Sequence, residues 1–166
     1  MEPNWLIVPL AAIIPLFVGA IWYNPKVFGN AWLKATGLTE EQLKRANMLK
    51  IYGLTYVFSL MLAVILMPVV IHQLHMFSIF ANDPDVKVPG TESHQYFNDF
   101  MTQYGDRFRT FKHGAFHGTL IAIFFAMPIT GIIALFERKS AKYIFIHTGV
   151  WIVSLALMGG VLCQFV

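Results

Sequence analysis

The chain has 166 residues, of which 57% are hydrophobic and 13% charged, against about 45–50% and about 25% in a soluble domain. The apolar residues fall in long runs, a pattern that belongs to a membrane and excludes an ordinary soluble core. The net charge of +3 does not mark a nucleic-acid binder, because the 12 Lys and Arg flank the apolar runs and form no single patch.

A membrane-crossing helix needs roughly 20 mostly apolar residues, and residues 5–23 supply the first such run. It is not patterned as a cleavable signal, since Glu2 is its one early charge and no small-x-small site follows. Trp22 and Tyr23 suit the headgroup layer, and Pro25 is expected to stop the helix. Thr39-Glu40-Glu41-Gln42 reads as a capping box, from which a helix is expected to run on into the second apolar run, residues 51–74. Asn82-Asp83-Pro84 and Pro89-Gly90 are turn signals in a long connecting loop. Residues 91–104 then predict a short amphipathic helix with Tyr96, Phe97, Phe100 and Met101 on one side, lying on the bundle or membrane surface. The third and fourth runs are residues 118–136 and 143–166. All four lack Asp, Glu, Lys and Arg, and such runs must be helices because hydrocarbon offers the backbone no other partner. Pro9, Pro15, Pro68 and Pro128 predict kinks. The fold expected is an all-α integral membrane four-helix bundle, one domain over residues 1–166, with a long outer loop.

The connecting segments set the orientation. Lys26, Lys34, Lys44, Arg45 and Lys50 lie in the first, and Arg138, Lys139 and Lys142 in the third. The long second loop has Lys87, Arg107, Arg109 and Lys112, offset by Asp83, Asp85, Glu92, Asp99 and Asp106. The positive-inside rule places the first and third loops in the cytoplasm of a bacterial inner membrane, with both termini and the long loop outside.

Histidines are the one unusual chemical feature. His113 and His117 are four apart and share a helix face, and so do His72 and His75 at a spacing of three. The second run ends on the outer side and the third begins there, so both pairs fall at similar depth. Four imidazoles from two helices suit a transition metal such as zinc, copper or iron, with Gln73 and Tyr104 as outer partners. The alternative is interfacial histidines bonded to water, headgroups or neighbouring helices. Gly114 and Gly118 form a Gly-x-x-x-Gly pair that allows close helix approach, and Gly149, Gly159 and Gly160 give the fourth run a small-residue surface for packing within the bundle or against another protomer. His147 reads as a packing histidine and the single Cys163 as a small packing residue. No carboxylate lies within a span to relay protons, and no nucleophile elbow, phosphate loop or zinc-protease motif marks a catalytic residue.

Gly19-Ala20-Ile21-Trp22-Tyr23-Asn24-Pro25, followed by Phe28-Gly29 and Ala31-Trp32, resembles the signature of a bacterial four-helix membrane family, domain of unknown function 1761. Gly37-Leu38-Thr39-Glu40-Glu41, Phe136-Glu137-Arg138-Lys139 and Ser154-Leu155-Ala156-Leu157-Met158-Gly159 are similar to the same family, and residues 111–118 resemble its Bacteroidetes-type members. The resemblance implies membrane embedding and four helices. It implies no activity, cofactor or site residue, and nothing carries onto the long acidic loop, which departs from shorter members.

Three functions follow in order of preference. The first is a non-enzymatic assembly or accessory component that works through helix packing in the lipid bilayer, which leaves homo-oligomerisation or docking into a larger membrane complex open. The second is a ligand- or metal-binding protein with a histidine cluster at the outer interface, built from His72, His75, His113 and His117. The third is a carrier or channel for a small neutral or lipid-like molecule.

Overall fold

A computed structural model describes residues 3–166, and among them the chain is all-α, with no strand. Three long helical stretches dominate. Helix α5 covers Met48–Val70, and helix α10 covers Ala141–Phe165. Helices α8 (Phe111–Ile121) and α9 (Met127–Phe136) are joined by a π-helical turn, Ala122–Ala126, into one run over Phe111–Phe136. These three stretches have 23, 25 and 26 residues and are apolar enough to cross a membrane. At 1.5 Å per residue they are about 35–39 Å long, which exceeds a hydrocarbon core of about 30 Å. The wide π-turn sits just before Pro128, whose missing N–H would otherwise break the ladder.

The N-terminal run departs from a single helix. It is divided into α1 (Ile7–Ala11) and α2 (Ile14–Trp22), with Pro15 in the first turn of α2. Pro25 does not end the helical path but opens a π-helical turn, Pro25–Gly29, that leads into α3 (Asn30–Thr36). The two limbs meet at 55°, and taken as one bent span they raise the number of candidate crossings to four. The bend is built from the Trp22 to Gly29 motif. Asn24 caps it by accepting from the Lys26 N–H at 3.0 Å, and the Gly29 N–H donates to the Asn24 carbonyl at 2.9 Å. A Cβ on Gly29 would overlap the Tyr23 carbonyl, so only glycine permits this turn. The Trp22 ring packs on Phe28 with centroids 4.4 Å apart.

The capping box forms as expected at Thr39 and Gln42, but helix α4 (Glu40–Lys44) stops short. A second cap, the Asn47 side chain accepting from the Lys50 N–H at 3.1 Å, starts α5 independently. Beyond α5 the chain forms α6 (Gln73–Ile79), a 3₁₀ turn at Pro84–Lys87 and the expected amphipathic helix, α7 (Glu92–Tyr104). Hydrogen bonds from the Ser93 side chain, and then from the Asp85 backbone N–H, hold the Asp83 carboxyl below its ordinary value and tie the 3₁₀ turn to α7. On the inner side of α7, Phe97 meets Phe77 and Phe80 edge-on at 5.2 and 5.8 Å, while Tyr96 remains exposed.

Helix α10 is the axis of the molecule. Its buried side chains Leu155, Met158, Leu162 and Cys163 pack against Leu66, Met67 and Val70 of α5 and Val8 and Ala11 of α1. A Cβ on Gly114 would overlap the Gly159 carbonyl, and one on Gly118 would overlap the Leu155 carbonyl, so α8 lies almost backbone to backbone on α10. Gly149 faces the Trp22 ring and Gly160 the Phe111 ring, which leaves the small-residue surface of α10 covered within the monomer.

Candidate metal centre

The close contact of α8 with α10 fixes a second stripe on α8. His113 and His117 each precede a packing glycine by one residue, which turns them about 100° away from the α10 contact. That rotation aims both imidazoles at the end of α5. There the backbone of Ile71 leaves the helical region at φ −113° and ψ 90°, and the chain turns into α6 with His72 in the N-cap position. Ile71 is only 1% exposed, so its burial anchors the turn that presents His72.

His72, His113 and His117 come together, with one ring nitrogen from each all within 4.8 Å of one another. The Nε2 atoms of His72 and His113 are 2.9 Å apart, one donating and one accepting. Ring centroids are 5.0 Å apart for His72 and His113, 5.1 Å for His72 and His117, and 4.5 Å for His113 and His117. Metal–nitrogen bonds of about 2.0–2.1 Å at tetrahedral angles set ligand nitrogens about 3.3 Å apart, so small rotations of these side chains would suit an ion. His75, the fourth histidine expected here, is exposed on α6 and is not in the converging group. The turn at Ile71 separates the two: His72 stands at the N-cap position of α6, whereas His75 lies inside that helix.

The wall beside the cluster is strained and tied down. Phe108 adopts φ +65°, a left-handed conformation that is costly for a bulky side chain, and its ring stacks on His113 with centroids 5.0 Å apart and planes 15° apart. Three bonds hold this segment. The buried Gln73 amide donates to the carbonyls of Tyr104 and Arg107 at 2.9 and 2.8 Å, and the Cys163 thiol lies 3.3 Å from the Phe108 carbonyl. The single S–H is shared with the Val70 carbonyl at 3.1 Å, one of those left free where α5 ends. Cys163 is thus a hydrogen-bonding member of the support as well as a packing residue, and nothing in its spacing along the chain signals that role.

His147 sits far from this cluster. Its Nδ1 pairs with the Tyr23 hydroxyl at 3.2 Å and its ring packs on Tyr143 with centroids 4.3 Å apart, a contact set of a packing histidine.

The fold and the cluster define an all-α protein with three or four helices capable of crossing a membrane and three imidazoles gathered where two of those helices end. The chain belongs to the family described as protein of unknown function DUF1761, whose profile matches residues 6–163. No curated protein and no solved structure matches it.

Proposed function

We propose that this chain is a multi-pass protein of a bacterial inner membrane that binds one transition-metal ion at its outer face through His72, His113 and His117. The convergence of three ring nitrogens from two separate helical segments carries the reading. Imidazole ligands suit zinc, copper and iron, and a set of three matches a site with one coordination position left for a non-protein ligand.

Two contacts fit the grouping of termini and loops that four crossings require, and the basic loops alone give the direction. The Asn4 N–H donates to the Val166 carbonyl at 3.0 Å, which brings the two ends of the described chain together. At the opposite end the Lys139 ammonium donates to the Thr36 carbonyl at 3.1 Å, joining the first and third loops. The glycines, expected to pack within the bundle or against another protomer, are occupied by contacts inside the monomer and lend the assembly role no support.

Elemental analysis of detergent-purified protein, before and after equilibration with zinc, tests the proposal. One ion per chain is expected, lost in His113→Ala and kept in His75→Ala. A stoichiometry near zero after reconstitution, or one that His113→Ala leaves unchanged, would overturn it.

A further inference from the structure

Resting on the three-histidine reading, we infer that the metal's remaining coordination position is open to a cleft shaped for a small aromatic carboxylate. Among the described residues no fourth His, Cys, Asp or Glu joins the converging group, so the protein supplies three ligands and leaves one position free. His72 belongs both to the cluster and to the wall of a cleft of about 300 Å³, the lower end of the size range of small-molecule sites. Phe100, Tyr104 and Phe108 line that cleft with aromatic surface, and Gln73 lines it as well. Gln73 spends its two N–H donors on the Tyr104 and Arg107 carbonyls, which leaves its amide oxygen as the free polar atom.

The charge pattern selects an anion. Arg107 lines the cleft with its guanidinium carbon 5.5 Å from the Tyr104 ring centre and 5.1 Å from that of Phe108. A bound divalent ion would add positive charge beside the His72 wall of the cleft. A carboxylate on a flat apolar body meets all three features: an oxygen for the metal, a ring for the aromatic walls and a negative charge for the guanidinium.

The test uses the full chain in detergent, loaded with cobalt, whose visible absorption reports its coordination. Azide, acetate and benzoate are titrated in turn. Each is expected to perturb the cobalt spectrum and saturate, with benzoate binding about tenfold more tightly than acetate. Phe100→Ala should abolish that preference while azide, which needs only the metal, still binds. Arg107→Gln should weaken benzoate about three- to tenfold with cobalt stoichiometry unchanged. Cobalt bound one to one with a spectrum indifferent to all three anions would overturn the open position and leave the three-histidine reading standing. Equal affinity for acetate and benzoate would overturn the aromatic specificity. Failure to bind cobalt at all would overturn both readings together.

Discussion

At the scale of single residues, neighbours in sequence divide the work between packing and chemistry. Gly114 and Gly118 let α8 press onto the Gly159 and Leu155 carbonyls, and the histidine before each glycine is rotated onto the open side. Substitutions at adjacent positions should therefore separate cleanly. Gly114→Leu puts a branched side chain where even one carbon overlaps backbone, and overpacking of this kind costs about 1–3 kcal/mol or more. His113→Ala removes a partly exposed ring and should cost less than about 1 kcal/mol. Thermal unfolding in detergent should show a markedly lower midpoint for Gly114→Leu and a nearly unchanged one for His113→Ala, with metal binding lost in the second. The pairing of these residues was legible from the spacing His-Gly-x-x-His-Gly. Which glycine face met which helix was not, because a small residue specifies close approach without naming its partner.

At the scale of elements, apolar runs were legible and their interruptions were not. Uncharged runs near 20 residues announced α5, α8 with α9, and α10, because hydrocarbon leaves a backbone no alternative to the helix. The expected second run to residue 74 instead breaks at Ile71, where neither glycine nor proline stands. Ile71 is buried at that break, three residues past Pro68, and burial by distant elements leaves no local mark. The same break separates His72 from His75, so the sequence offered four candidate ligands where the fold gathers three. Gln73 ties the loop after α7 to α6 with two of the three bonds that hold it, and Gln73→Leu should loosen it. Two carbonyls would lose their donor, at a cost of about 1–3 kcal/mol. Hydrogen exchange should speed up at the amides of Gly105, Arg107 and Arg109, with α10 unaffected. Unchanged protection there would show that Phe108 and Cys163 hold the segment without help.

At the scale of the whole molecule, the proposed orientation rests on where the basic loops meet. The first and third loops meet through Lys139 and Thr36, and they carry most of the basic residues. In a Cys163→Ser background, a cysteine introduced by Ser140→Cys should resist membrane-impermeant maleimide in intact spheroplasts and react after permeabilisation. One introduced by Ala81→Cys should react without it. The reverse pattern would invert the orientation and put the cluster on the cytoplasmic side. Metal and protons compete for the same imidazole nitrogens, so occupancy should fall on acidification in either orientation. X-ray absorption at the zinc edge of the reconstituted protein would read the ligand set of the bound ion itself. Three imidazole shells and one oxygen or nitrogen neighbour are expected at about 2.0–2.1 Å. A sulfur neighbour, or a shell of oxygens without imidazole scattering, would contradict it.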